Sequence, residues 1–115
     1  MIKISTKELL ENFNITNEKC EYKNNIPCVI DFNATWCTPC KSIHKTLTEM
    51  EKENSNIIFY SVDIEEEYEL AEIFQIKNLP TLIMCSKENE PIKITGNIMK
   101  QKIQENINKM SIIIA

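Results

Sequence analysis

Cys28-Val29-Ile30-Asp31-Phe32-Asn33-Ala34-Thr35-Trp36-Cys37-Thr38-Pro39-Cys40-Lys41 runs from a β-rich segment through a short turn into two cysteines three residues apart. Residues 28–32 combine Val, Ile and Phe and read as a buried central strand. After a turn at residues 33–35, Ile43, Leu47 and Met50 recur at i, i+4 and i+7 opposite lysines and glutamates, the period of an amphipathic helix. The cysteine pair therefore falls between a strand and the first turn of a helix. Backbone N–H groups in a first turn have no helical partner, and the positive end of the helix dipole favours an anion. A Cys37 thiolate is stabilised there and becomes a nucleophile at neutral pH. Pro39 is tolerated in the first turn, and its fixed φ stiffens the loop that keeps the two sulfurs in reach of each other.

A single C-x-x-C is also half of a zinc knuckle, which needs a second pair of thiolates or imidazoles at compatible spacing. Cys20, Cys28 and Cys85 do not supply one: Cys20 and Cys28 are separated by seven residues, and Cys28 and Cys85 lie in predicted strands. They read as packing residues, and the Cys37/Cys40 pair reads as a redox dithiol with no metal and no cofactor.

Outward from this segment the chain alternates strands and helices. Ile2-Lys3-Ile4 alternates like a short strand, and Ser5 with Glu8 forms a capping-box signal ahead of Leu9, Leu10 and Phe13 at helical spacing. Residues 14–25 carry turn residues without periodicity. Residues 57–62 form the next strand, after which Glu65-Glu66-Glu67 opens a helix with Leu70, Ile73 and Phe74 on its apolar face. Pro80 stands at the entry of a strand over residues 81–85, residues 87–90 make a turn, and residues 91–95 form a last short strand. Ile98, Ile103, Ile107 and Met110 mark a closing helix. The predicted order is βαβαβαββα, a single α/β domain over residues 1–115.

Composition excludes several kinds of function. With 115 residues, 43% hydrophobic and 26% charged, the chain is an ordinary globular domain. Gly96 is its one glycine, so a glycine-rich phosphate cradle is excluded, and its one histidine, His44, leaves no histidine cluster for a catalytic metal. All basic residues are lysine and the net charge is −4, which lacks the footprint of a nucleic-acid binder. No apolar run is long enough to span a bilayer; residues 57–60 and 112–115 are among the longest. The start of the chain carries no basic stub leading into an apolar segment, so a cytoplasmic location is expected. Five cysteines in a reducing compartment favour catalytic or metal-binding roles.

Residues 31–41 resemble the active-site segment of the thioredoxin family, and Leu79-Pro80-Thr81, 40 residues further on, resembles that family's cis-proline loop. The likeness in element order runs from about Ile2 to Met110, and Val62-Asp63, Gly96 and Ile103 also match. The resemblance implies a thioredoxin fold: a central mixed sheet of about five strands flanked by four helices. It implies a thiol-disulfide oxidoreductase in which Cys37 attacks a client disulfide, Cys40 resolves the mixed disulfide, and Asp31 accepts the Cys40 proton. It also implies a cis Pro80 beside the dithiol and a substrate surface of Trp36, Thr38, Pro39, Leu79, Pro80, Thr95 and Gly96. The implied partners are disulfide-containing client proteins and a thioredoxin reductase, NADPH-linked or ferredoxin-linked.

Each role has a plainer counterpart. Asp31 could be a strand-end carboxylate capping a turn, Trp36 a core residue, Pro80 an ordinary strand-entry proline and Lys41 a solvated lysine. His44, one turn beyond Cys40, reads as a helix-surface residue without a catalytic role. The sequence departs from the family pattern at Thr38, where glycine is usual; at Asn33, commonly aromatic, which opens the rim; and at Lys45, where a mid-helix proline is missing and a straighter helix is expected. Ser61 stands where many bacterial members have a lysine near the buried carboxylate, and the turn after Cys85 lacks glycine. The alternatives are a more oxidising disulfide exchanger on the same fold, or a non-catalytic thioredoxin-like binding module.

Overall fold

The computed structural model describes residues 1–16 and 19–114, and side chains through residue 110. The apolar run at residues 112–115 lies outside the described side chains. In chain order the elements are β1 (Ile2–Lys3), α1 (Thr6–Leu10), β2 (Phe13–Ile15), β3 (Cys20–Tyr22), β4 (Cys28–Asn33), α2 (Thr38–Glu53), β5 (Ile58–Asp63), α3 (Tyr68–Ile73), β6 (Thr81–Cys85), β7 (Ile92–Thr95) and α4 (Lys100–Ile114). Among the described residues, five strands form one sheet in the order β1-β5-β4-β6-β7, and β2 and β3 form a separate hairpin.

The sheet is mixed, as expected. β4 pairs in parallel with β5 and antiparallel with β6, and β6 continues antiparallel to β7. Side chains alternate across a strand, so each strand feeds two cores. Val29, Phe59, Leu82 and Met84 point to the face covered by α2 and α4, where they meet Ile43, Leu47, Met50, Ile103, Ile107 and Met110. Ile30, Phe32, Val62 and Ile83 point to the other face, where Leu9, Leu70 and the hairpin cover them. Asp31 has the parity of Val29 and so faces α2, at a position where the pattern asks for an apolar side chain.

The hairpin was not predicted, and it inserts two strands into the expected order. Phe13, which continues a helical period after Leu9 and Leu10, instead opens β2, and α1 stops at Leu10. Phe13 pairs with Tyr22, edge to face with ring centroids 5.3 Å apart, and stacks similarly on Phe74 at 5.5 Å. Burying this aromatic between two rings outweighs one more turn of a five-residue helix, which is too short to hold itself. The capping box at Ser5 and Glu8 forms as expected, with Glu8 N–H donating to Ser5 Oγ at 3.2 Å and Ser5 N–H donating to Glu8 Oε1 at 3.2 Å.

Residues 64–66 form a turn and Glu67 is the N-cap of α3, so the helix opens at Tyr68, later than expected. The Glu67 carboxylate is drawn away to accept from Thr6 N–H at 2.6 Å and Thr6 Oγ1 at 3.1 Å, which ties α1 to the start of α3. Leu70 is buried as expected, whereas Ile73 is 41% exposed. With α3 only six residues long, its buried stripe is completed by Phe74 just past its end. α2 runs unbroken through Lys45 and ends at Asn54, whose side chain donates to Met50 O at 2.8 Å and to Gln104 Oε1 of α4 at 3.2 Å.

Candidate active site

The carboxyl end of β4, the entry of β6 and the exit of β7 meet at one edge of the sheet, because Phe32 pairs with Thr81 and Thr81 with Thr95. The turn after β4 delivers Cys37 to the N-cap of α2, where its backbone is extended and Pro39 occupies the first turn. Cys37 N–H donates to Ala34 O at 3.1 Å, and Cys40 N–H donates to Cys37 Sγ at 3.3 Å. Cys37 and Cys40 are joined as a disulfide, with Cα atoms 5.3 Å apart. Both are almost fully buried, packed with Ala34 against Ile64 and Leu79.

The residues that the resemblance places on the substrate surface carry no charge. Trp36 is 66% exposed, which sets aside its reading as a core residue. Thr38, Pro39, Thr95 and Gly96 are exposed as well, while Leu79 is half-buried and Pro80 buried. The Leu79–Pro80 peptide is cis, as the resemblance implied. Gly96 has a φ of +82°, a conformation that only glycine adopts without strain. Lys41 lies exposed on the first turn of α2.

Asp31 lies on β4, two residues before the strand ends at Asn33 and the turn to Cys37 begins. It is fully buried, and among the described residues neither of its carboxylate oxygens has a hydrogen-bond donor. It sits mid-strand and caps no turn. On its face of the sheet its neighbours are Ser61 of β5 and Leu82 of β6. Asn33 spans the same strands, its Nδ2 donating to Asp31 O at 3.1 Å and to Ser61 Oγ at 2.9 Å, so this departure from an aromatic residue ties the end of β4 to β5. Burial pushes the Asp31 carboxyl up to about 6, against the opposing pull of His44 and a smaller one from Asn33.

His44, read from the sequence as a helix-surface residue, also reaches the buried carboxyl. Its Nδ1 stands 3.7 Å from Asp31 Oδ2, and its side chain is 52% exposed. The signal was available, since residues four apart on a helix share a face and His44 follows Cys40 by four. Its exposure pointed the other way.

The remaining cysteines lie away from the dithiol. Cys28 and Cys85 are buried cross-strand neighbours on the opposite face of the sheet, with Cys20 half-buried beside them. Cys28 and then burial push the Cys85 thiol far up, and burial pushes Cys20 up. They pack, as expected. Among the described residues no group of three or more acidic, histidine or cysteine side chains could hold a metal, and no helix is long and apolar enough to cross a membrane.

A thioredoxin family model matches residues 8–109. The chain belongs to the thioredoxin family. Thioredoxin H5 of Arabidopsis thaliana is 31% identical over 103 residues, covering 88% of this chain and 86% of that one. A chloroplastic thioredoxin-like protein, CITRX, of Solanum tuberosum is 34% identical over 109 residues, covering 92% of this chain and 58% of the relative. Among solved structures, chloroplastic thioredoxin z superposes with a TM-score of 0.78 at 21% identity, covering 96% and 94% of the two chains. Thioredoxin of Fasciola hepatica gives 0.76 at 23%, covering 96% and 99%. These two establish the fold, and the family establishes the class of chemistry: the protein is a thiol-disulfide oxidoreductase with a thioredoxin fold.

Proposed function

We propose that this thioredoxin reduces the disulfides of client proteins through Cys37, in a reducing compartment such as the cytoplasm. The observation that carries this reading is the placement of Cys37 Sγ at the N-cap of α2, where it accepts the Cys40 N–H and where a thiolate is favoured. In the reduced protein the Cys37 thiolate attacks one sulfur of a client disulfide; a Cys37–client bond forms and the client's second sulfur leaves as a thiolate. Asp31 takes the proton of Cys40, whose thiolate then attacks Cys37. The Cys37–Cys40 bond forms, the Cys37–client bond breaks, and the client leaves with both sulfurs reduced.

Clients dock on the surface formed by Trp36, Thr38, Pro39, Leu79, Pro80, Thr95 and Gly96. Its lack of charge suits many partners, and the exposed indole gives it an apolar anchor. A dedicated reductase, NADPH-linked or ferredoxin-linked, returns the disulfide to the dithiol.

The test is reduction of insulin disulfides by the full chain with dithiothreitol as electron source. The wild type accelerates it, Cys37→Ser abolishes the acceleration, and Cys40→Ser accumulates a mixed disulfide with insulin. A redox titration followed by fluorescence of Trp36 should give a two-electron midpoint near thioredoxin's value of about −270 mV. A midpoint of about −200 mV or above marks an exchanger instead. A Cys37→Ser/Cys40→Ser double variant that keeps full biological activity leaves only a binding module.

A further inference from the structure

Asp31 is fully buried, yet the proton it would accept must leave the protein in every turnover. Few groups can carry it. On the α2 side of the sheet, β5 offers Ser61 and β6 offers Leu82, neither of which is charged. α2 offers Cys40, which supplies the proton, and, one turn on, His44. Among the described residues, His44 is the charged or titratable side chain that pulls on the Asp31 carboxyl. His44 Nδ1 is 3.7 Å from Asp31 Oδ2, within ion-pairing range, and its ring is half in solvent. One nitrogen thus faces the buried carboxyl and the other has access to water.

We propose that His44 is the proton relay between Asp31 and solvent, a positioning residue that acts on the dithiol only through that carboxylate. This rests on the reading of Asp31 as proton acceptor given above. Once Asp31 has taken the Cys40 proton, a small rotation of the half-exposed ring brings Nδ1 to hydrogen-bonding distance. Nδ1 accepts the proton from the Asp31 carboxyl, Nε2 releases one to water, and the carboxylate is restored. In the reverse direction, when the disulfide is reduced, the same path delivers the proton that the leaving Cys40 thiolate requires. Imidazole suits the task because its two ring nitrogens can each bind or release a proton, so one ring takes a proton on the side facing Asp31 and gives one up on the other.

The experiment is single-turnover oxidation of the reduced full chain by saturating insulin, followed by Trp36 fluorescence across pH, for the wild type, His44→Ala, His44→Gln and Asp31→Asn. His44 is half-exposed, so both its variants fold. Removing the His44 ring takes away the pull that opposes burial at Asp31, so the acid limb of the His44→Ala profile should move to higher pH by about one unit, an about ten-fold loss below both midpoints. The rates should converge at alkaline pH. Free imidazole should restore the His44→Ala rate at pH 6, and His44→Gln, which is polar but cannot carry a proton at this pH, should behave as His44→Ala does. A shifted limb without imidazole rescue overturns the relay and leaves a charge effect only. A His44→Ala profile that superposes on the wild type, while Asp31→Asn loses its acid limb, overturns the relay and spares the carboxylate. If Asp31→Asn is also unchanged, both readings fall.

Discussion

Cys37 Sγ accepts the backbone N–H of Cys40 at 3.3 Å, so the first cysteine of the pair caps the helix that carries the second. A thiolate in that position receives a charge-assisted hydrogen bond and the positive end of a sixteen-residue helix. Cys37 of the reduced protein should therefore be the first thiol alkylated by iodoacetamide, with a pH profile displaced below that of an ordinary cysteine. Cys28 and Cys85 should stay unlabelled until the protein is unfolded, because both lie inside the hairpin-side core and the Cys85 thiol is pushed up, whereas Cys37 is at a helix N-terminus that favours its thiolate. Peptide mapping after a short pulse checks both; labelling of Cys28 or Cys85 ahead of Cys37 would contradict the assignment.

The buried carboxylate also leaves a signature in stability. Burial raises the Asp31 carboxyl from 3.8 to about 6, so the folded protein binds this proton more tightly than the unfolded chain does. The resulting stability is fully present below about pH 3.8 and is lost as pH rises through about 6. Two units of displacement correspond to about 3 kcal/mol, all of it lost by pH 7.5. Oxidised Asp31→Asn has no proton to lose, so its stability relative to wild type should improve by up to that amount between pH 4 and pH 7.5. Urea unfolding of the two proteins across that range measures the difference, in which the other titrating groups cancel. A difference that does not change with pH refutes the raised carboxyl.

Phe13 joins the hairpin to the main core through its contacts with Tyr22 and Phe74. Truncating a buried aromatic costs about 3 kcal/mol or more. Phe13→Ala should lose stability on that scale in denaturant unfolding while leaving the midpoint of the Cys37/Cys40 couple unchanged, since Phe13 lies on the face of the sheet opposite α2. A shift in the redox midpoint would show coupling between the two faces that their separate cores do not suggest.

Phe13 also shows what the sequence could and could not reveal. The elements that hold the site were legible because their signals are local and agree: a run of β-formers to Phe32, a cysteine pair at the start of a helix, and Ile43, Leu47 and Met50 on one stripe, all of which the structure buries as read. Phe13 was misplaced because its helical spacing after Leu9 and Leu10 is accidental, and its real partners, Tyr22 and Phe74, are distant in sequence. The hairpin's short strands alternate weakly, since only Phe13 and Tyr22 of their six residues are buried. At the site, Asp31 was legible as a carboxyl out of place in an apolar strand. His44 was not, because its pairing with Asp31 depends on how α2 lies across β4, a tertiary fact that periodicity does not encode.

The turn between β6 and β7 carries the strain expected of a turn without glycine. Glu88 has a φ of +67°, in the left-handed region, where a side chain costs about 1 to 2 kcal/mol relative to the right-handed form. Its neighbours hold the turn in place: Asn89 N–H donates to Ser86 O at 3.3 Å, and Asn89 Nδ2 donates to Ser86 Oγ at 3.2 Å and Lys87 O at 3.1 Å. Glycine removes the steric term but brings back about 0.5 to 1 kcal/mol of unfolded-state entropy. Glu88→Gly should therefore raise stability by about 0.5 to 1 kcal/mol. The site lies at the other end of β6, so insulin reduction should not change. Glu88→Ala keeps a Cβ in the same left-handed position and should gain nothing. If both substitutions shift the urea midpoint equally, the effect comes from the lost charge and not from the backbone.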